Sequence, residues 1–197
     1  MAVALKVVTA PFDVPDLADA EEYVTWMEHQ PYKLEMTGGR LVMMAGGSNP
    51  HATIAGNVFA SLRAKLRGQP CRPFNSDFLV QLSRRDRYYP DATVACGETR
   101  NYTDKPVMVV EVLSPTTKRF DLRVKLPTYL RTPSLAYVLY LSQDEPRAWL
   151  YRPTTAEGDE PIEVAGLEAE IALPELGIVL TLAELYEDVA PAEGAAE

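Results

Sequence analysis

Cysteine and long apolar runs are both scarce in this sequence, and each shortage excludes a class of protein. The 197 residues include two cysteines, Cys71 and Cys96. Two are too few for a disulfide scaffold or a cysteine-based zinc site, and this usage is typical of a reducing compartment. No apolar run approaches the roughly 18 residues that a membrane span needs, and the first residues lack the layout of a signal peptide. We therefore expect a cytoplasmic protein with no membrane contact, in which Cys96 is buried.

Basic residues are absent from the C-terminal part of the chain. No Lys or Arg follows Arg152, and residues 153–197 carry twelve Asp or Glu. The net charge of -9 is therefore unevenly distributed, because residues 63–131 contain fourteen basic and seven acidic residues, a net charge of +7. A basic middle of this kind favours contact with a polyanion. The alternative is that the acidic end serves solubility alone.

Apolar periodicity predicts one α/β (α+β) domain over residues 1–188, followed by a flexible acidic tail at 189–197. A short helix is predicted over 17–27, and a second helix begins with Asn49 as its N-cap and Pro50 in its first turn. The pair Gly38-Gly39 predicts a tight turn. Strands are predicted at 33–36, 40–44, 78–82, 92–96, 107–113, 136–141, 148–151, 162–164, 168–172 and 178–180.

The polar stretch 114–131 is predicted to be partly helical, with a helix start or a kink near Pro127. We therefore expect a mixed β-sheet flanked by helices, with additional β-hairpins.

A glutamate inside an apolar strand is the first candidate for chemistry. Glu111 interrupts the run 107–113, and a carboxylate is costly to bury there without a cation or hydrogen bonds. If the loop near Asn101 closes a symmetric antiparallel hairpin, Asp91 faces Glu111 and Cys96 faces Pro106. Two converging carboxylates either share a proton or bind a hard cation such as Mg²⁺ or Mn²⁺.

The segments around these acids resemble a nuclease family. HATIAGNVFASL, YYPDATVAC and VVEVLSPTTKRFDLRVKLPTYL are similar to the bacterial Uma family of restriction-endonuclease-like proteins, in the PD-(D/E)xK nuclease superfamily. The resemblance covers about residues 15–189 and implies the restriction-endonuclease-like fold. It implies that Asp91 and Glu111 bind Mg²⁺ or Mn²⁺, that the Val112 backbone carbonyl is a further ligand, and that Glu35 is the acidic residue preceding them.

Leu113 stands where the superfamily places its lysine, two residues after the glutamate. In the alternative family pattern the following helix supplies the ammonium group, and Lys125 fits that position. The implied reaction is phosphodiester hydrolysis in DNA by a homodimer, with Lys125 positioning the nucleophile or stabilising the transition state. The resemblance also places His51 near the cleft. Basic residues of the same segment would hold neighbouring phosphates: Lys118, Arg119, Arg123 and Arg131.

Each candidate also has an ordinary structural interpretation. Asp91 is typical of a turn after proline, and Glu35 alternates with apolar residues as a solvent-facing hairpin residue does. His51 has the alternative of an ordinary surface histidine. The alternative for Lys125 is an exposed i,i+4 ion pair with Asp121, worth a few tenths of a kcal/mol.

Nucleophilic serine chemistry is not predicted, because the sequence has no GxSxG elbow and only two histidines. Ser114 is expected to cap the turn after its strand, and Tyr129 is expected to lie in the core. The alternative function is a catalytically weak or inactive member of the family that binds nucleic acid or protein. Leu113 and the acidic end support that alternative.

Overall fold

The structure is a computed structural model, and it describes residues 19–44, 46–97, 100–153 and 160–189. The strands, in chain order, are β1 (Leu34–Thr37), β2 (Arg40–Met43), β3 (Cys71–Asn75), β4 (Leu79–Gln81), β5 (Arg87–Tyr88), β6 (Ala92–Cys96), β7 (Tyr102–Thr103), β8 (Pro106–Leu113), β9 (Tyr137–Ser142), β10 (Arg147–Tyr151), β11 (Ile162–Ala165), β12 (Glu170–Leu173) and β13 (Ile178–Thr181). The α-helices are α1 (Ala20–Met27), α2 (Asn49–Lys65), α3 (Lys118–Phe120), α4 (Leu126–Leu130) and α5 (Leu182–Leu185), with a π-helix at Asp121–Lys125 and a 3₁₀ turn at Pro174–Leu176.

A six-stranded mixed sheet forms the centre of the fold, in the order β11-β10-β9-β8-β6-β3. The pair β8 and β9 is parallel, and the other neighbours are antiparallel. A second sheet, in the order β2-β1-β5-β4-β7, contains the N-terminal hairpin, and β12 pairs with β13. This confirms the predicted mixed sheet flanked by helices with additional hairpins. The domain limits stay a prediction, and residues 190–197 of the predicted tail lie outside the described residues.

Strand β8 is buried along nearly its whole length because helices cover both of its faces. Met108, Val110 and Val112 pack with the apolar face of α2. Val109 and Leu113 pack on the opposite side with residues of α4. A near-continuous apolar run is the pattern expected of a strand covered on both sides, where each buried side chain contributes roughly 1.5–3 kcal/mol. Since side chains alternate along a strand, Glu111 shares the face of Val109 and Leu113.

Helix α2 covers the sheet with one apolar face and presents its N-terminus to the pocket described below. Ile54, Val58 and Leu62 are buried, as helical spacing predicts. The predicted N-cap Asn49 is wrong by one residue, because the hydroxyl of Ser48 accepts the hydrogen bond from the His51 backbone N–H. Serine satisfies the free N–H groups of the first turn as well as asparagine does.

The hairpin between β1 and β2 turns at Gly38 and Gly39, as predicted. Their φ angles of +57° and +81° lie in the region that glycine adopts without steric cost, as a two-residue hairpin turn requires. Three strands escaped prediction: β3, which contains Pro73, and the two-residue strands β5 and β7. Proline is confined to strand edges, and β3 is indeed an edge strand.

A disulfide joins Cys71 to Cys96 across β3 and β6. The predicted burial of Cys96 is wrong, because this residue lies exposed at the end of β6. The number of cysteines does not reveal this bond, because the two residues become neighbours only when the unpredicted β3 pairs with β6. Among the helices of the described residues, none is long and apolar enough to cross a membrane.

Candidate active site

A small pocket of about 70 Å³ opens where the N-terminal hairpin, α2, the ends of β6 and β8, and the helical segment after β8 meet. Its charged lining residues are Glu35, His51, Asp91, Glu111, Asp121 and Lys125. The structure therefore brings the predicted catalytic residues to one place, although they come from four separate parts of the chain.

Glu111 projects from the middle of β8 into buried surroundings. Its Oε1 accepts hydrogen bonds from Lys125 Nζ at 3.0 Å and from the Tyr129 hydroxyl at 2.7 Å. Burial raises the pKa of Glu111 well above its ordinary value, and the charge of Lys125 opposes this rise. The carboxylate is thus held by donors on one oxygen, and its removal from water is only partly compensated.

Lys125 is buried, and its ammonium group faces three carboxylates. Nζ lies 3.0 Å from Oε1 of Glu35, 3.0 Å from Oε1 of Glu111 and 3.7 Å from Oδ1 of Asp121. Burial lowers the pKa of Lys125, but Glu111, Glu35 and Asp121 outweigh it and raise that pKa well above its ordinary value. The alternative of an exposed pair with Asp121 is wrong, since both side chains are buried. The lysine therefore stays charged inside the pocket.

The π-helix Asp121–Lys125 explains how the chain places this lysine. An α-helical pattern would need the N–H of residue 127 to bond the carbonyl of residue 123, and Pro127 has no N–H. The wider turn instead directs the Leu126 N–H to the carbonyl of Asp121. The predicted irregularity near Pro127 is confirmed, and π-turns of this kind are frequent at functional sites.

Glu35 enters the pocket from the hairpin strand β1. Its Oε1 accepts a hydrogen bond from the Tyr89 backbone N–H at 2.8 Å and another from Lys125 at 3.0 Å. The residue is 3% exposed, so the alternative of a solvent-facing hairpin residue is wrong. Leu34 and Met36 beside it are buried as well, because they pack with Ala20 and Tyr23 of α1.

Asp91 lies directly before β6 and contacts both β8 and α2. Its Oδ2 accepts the Val112 backbone N–H at 2.7 Å and lies 3.2 Å from Nε2 of His51. Burial lowers the pKa of His51, but the hydrogen bond and charge of Asp91 outweigh it, so the net shift is upward. His51 is thus part of the pocket wall rather than an ordinary surface histidine.

The register between β6 and β8 brings Asp91 and Glu111 to the same end of the sheet. Ala92 pairs with Val110, and Val94 pairs with Met108, as the symmetric hairpin predicts. A bulge after Val94 then shifts the ladder, so that Ala95 pairs with Pro106. The predicted pairing of Cys96 with Pro106 is therefore wrong, and Cys96 pairs with Cys71 on the other side of β6.

The predicted phosphate-binding residues do not line this pocket. Lys118, Arg119, Arg123 and Arg131 are exposed on the helical segment that carries Lys125. Lys118 Nζ lies 5.7 Å from the centre of the Trp149 ring, an aromatic contact typical of ammonium groups. Their contact with nucleic acid stays a prediction.

Two polar residues of the site were missed as functional candidates. Tyr129 was predicted as core, and it is buried, but its hydroxyl donates to Glu111. Asp121 was considered only as a surface partner of Lys125. Both lie four residues from Lys125, and this spacing, which places side chains on one helix face, is the signal that could have found them.

The donor set fits a hard divalent cation in part. Acidic side chains outnumber basic ones four to two among the charged lining residues. The hydrogen bonds at Asp91 and Glu111 use Oδ2 and Oε1, respectively. Mg²⁺ is usually bound by one or two carboxylates and several waters. Across the ranges that the structure describes, no group of three or more His, Cys, Asp or Glu residues could hold a metal ion.

The mixed sheet and its flanking helices define a protein of the nuclease-like fold class. The crystal structure of "a putative nuclease belonging to DUF820" from Anabaena variabilis has a TM-score of 0.67 and 16% identity, over 83% of this chain and 96% of that one. At this identity the likeness concerns the fold alone.

The chain belongs to the Uma2 family, whose sequence model, described as "Putative restriction endonuclease", matches residues 20–183. The resemblance stated from the motifs is thereby confirmed. Two relatives from a Synechocystis strain are similar along the chain. "Uncharacterized protein slr1290" is 30% identical over 92% of this chain and 96% of its own length. "Uncharacterized protein sll1609" is 28% identical over 63% of this chain and 74% of its own length.

Proposed function

We propose that this protein is a divalent-metal-dependent endonuclease that hydrolyses phosphodiester bonds in DNA. The observation that carries the proposal is the position of Lys125 Nζ, 3.0 Å from both Glu35 and Glu111. A buried ammonium group beside a strand carboxylate supplies the positive charge that Leu113, at the usual position of the lysine, cannot supply. The family description and the name of the structural neighbour support the same class of reaction.

Asp91 and Glu111 would hold a Mg²⁺ or Mn²⁺ ion, with the backbone carbonyl of Val112 as a further oxygen ligand. The excess of buried acid supports this assignment, because uncompensated carboxylates in a pocket are stabilised by a cation. When bound, such an ion lowers the pKa of water and neutralises negative charge on a phosphate.

Lys125 holds a positive charge next to the reacting phosphate and can orient a water molecule or stabilise charge that develops in the transition state. Glu35, Asp121 and Glu111 fix the position of its ammonium group. These contacts matter because a preorganised charge in a pocket sheltered from water stabilises charge in the transition state far more than an exposed one does.

DNA is proposed as the substrate because the helical segment that brings Lys125 to the pocket also carries exposed cations. Lys118, Arg119 and Arg123 lie on the segment that carries Lys125, where they can contact neighbouring phosphates. His51, at the N-terminus of α2 and in the pocket wall, can donate to the scissile phosphate. We further propose a homodimer, because the chain resembles enzymes that cut both strands of DNA with paired subunits.

The proposal is tested by incubation of supercoiled plasmid with Mg²⁺ or Mn²⁺. We expect nicking by the wild-type protein, and a loss of at least about 100-fold in Asp91→Asn and Glu111→Gln. Glu163→Gln is the matched control, because Glu163 is an exposed carboxylate on β11, and it should nick at the wild-type rate. Equal nicking by all four proteins would refute the proposal.

A second candidate is a family member that binds nucleic acid or protein without efficient cleavage. The observation that favours it is the absence of a three-residue metal cluster within the described parts of the chain. A gel-shift assay in EDTA, combined with the plasmid nicking assay, separates the two functions. DNA retention with no nicking at any Mg²⁺ or Mn²⁺ concentration would favour this candidate.

A further inference from the structure

We propose that a cleft beside the catalytic pocket binds one unpaired nucleobase of the DNA strand, an inference that rests on the proposed function. The cleft has a volume of about 650 Å³ and lies between the end of α1, the residues before β1 and the β3–β4 turn. Cavities of this size are typical of sites for small ligands. None of the residues that define the catalytic chemistry lines it.

Four aromatic residues are among those that line the cleft. Tyr32 lines it and is 58% exposed, so its ring is accessible to a ligand. Phe74 and Phe78 stack on each other, with ring centres 3.9 Å apart and an angle of 13° between their planes. Tyr89 contributes a buried ring, with Lys33 Nζ 4.7 Å from its centre. The exposed Tyr32 ring, supported by this aromatic wall, offers a face on which another flat ring can stack.

The charges of the cleft favour an uncharged ring over a phosphate. Its lining contains two acids, Glu28 and Asp77, and two bases, Lys33 and Arg100. Nζ of Lys33 lies 2.9 Å from Oδ1 of Asp77, so the charge of Lys33 is already compensated. A phosphate would need an excess of cations. An uncharged base needs stacking and polar groups at its edge. Gln30, whose amide nitrogen donates to the Trp26 carbonyl, and Asn75, whose amide bonds Asp77, line the cleft wall.

A further groove of about 620 Å³ lies along the N-terminal half of α2. It shares Lys33 and Asn75 with the cleft and shares His51 and Asp91 with the pocket. A strand with its phosphate in the pocket can therefore follow the groove and place a nearby base in the cleft. The base must be unpaired, because stacking neighbours cover both faces of a base within a duplex.

The test is fluorescence anisotropy with the full chain in EDTA, which prevents cleavage. The probes are a labelled oligothymidine and a labelled abasic strand of the same length and charge. We expect the oligothymidine to bind more tightly, and we expect Tyr32→Ala to weaken its binding by roughly tenfold or more. Tyr32→Phe keeps the ring and should restore wild-type affinity. Ile162→Ala is the matched control, since Ile162 is 51% exposed on β11, at the opposite edge of the central sheet from β3.

The outcomes separate this inference from the proposed hydrolysis, which plasmid nicking measures independently. Equal affinity for the two strands, or an unchanged affinity in Tyr32→Ala, would overturn the base site even if the wild-type protein nicks plasmid. Base-dependent binding that Tyr32→Ala removes would support the base site even if no nicking occurs. The absence of nicking would then refute the hydrolytic function alone. Equal weakening of both probes by Tyr32→Ala would contradict base stacking, because the abasic strand has no ring to stack.

Discussion

Replacement of Lys125 by methionine removes the ammonium group that three buried carboxylates face. Methionine has a similar length and no charge, so loss of packing is small and loss of charge compensation dominates. Removal of one partner from a buried ion pair typically lowers the free energy of unfolding by 3–5 kcal/mol. Because Nζ contacts both Glu35 and Glu111 at 3.0 Å, we expect Lys125→Met to lose at least about 3 kcal/mol at neutral pH.

This loss should shrink as the pH falls. In the wild type the pKa of Lys125 is raised, so the stability it contributes is complete below its unfolded pKa and is lost only as the pH rises through the folded value. Burial raises the pKa of Glu111 and of Asp121, and Lys125 opposes both shifts. Without Lys125 both pKa values rise further. Protonation then stabilises the folded variant below the ordinary carboxyl pKa, and this stability is lost as the pH rises through the raised values.

The assay is urea denaturation of wild type and variant at neutral pH and near pH 5. Lys65→Met is the matched control, because Lys65 pairs with Glu184 at 3.1 Å but its side chain is 32% exposed. That change should cost less than about 1 kcal/mol. A similarly small loss of unfolding free energy in Lys125→Met would refute the charged network. So would a loss that increases as the pH falls.

Three further predictions concern stability. Glu111→Gln should remain folded and within about 1 kcal/mol of wild type in urea denaturation, because the amide oxygen can still accept from Lys125 and Tyr129 while a buried charge is removed; unfolding would instead assign a structural role to the ion pair. Tyr129→Phe should cost roughly 1–2 kcal/mol and lower the melting temperature, because Glu111 loses one of its two donors; an unchanged melting temperature would contradict this. Cys71→Ser should lower the free energy of unfolding by roughly 3 kcal/mol relative to wild type under oxidising conditions and have little effect in reductant; the same difference from wild type in both conditions would argue against the disulfide with Cys96.

Local sequence patterns were sufficient to predict the elements that carry Asp91 and Glu111. The apolar run of β8 and the short loop before it predict a hairpin, and a symmetric register brings the two carboxylates to one end of it. The register holds from Ala92 to Val94, and the bulge beyond Val94 depends on contacts that the sequence pattern does not reveal. Convergence of these acids was therefore predictable from residue spacing alone.

The burial of Glu35 was not predictable in the same way. It depends on the pairing of β1 with β5, a strand of two residues that has no detectable period. The role of Tyr129 was hidden for a related reason, because an aromatic residue at helical spacing is typical of a core, and the partner of its hydroxyl is set by tertiary packing. Cys71 likewise meets Cys96 only because an edge strand forms around Pro73.

Calorimetric titration of Mn²⁺ into the wild-type protein and into the Asp91→Asn, Glu111→Gln double variant measures whether Asp91 and Glu111 form a metal-dependent hydrolytic site, and both proteins are incubated with plasmid in parallel. We predict Mn²⁺ binding and plasmid nicking by the wild type and the loss of both together in the double variant. Absence of Mn²⁺ binding to the wild type, or equal binding to the double variant, would contradict it.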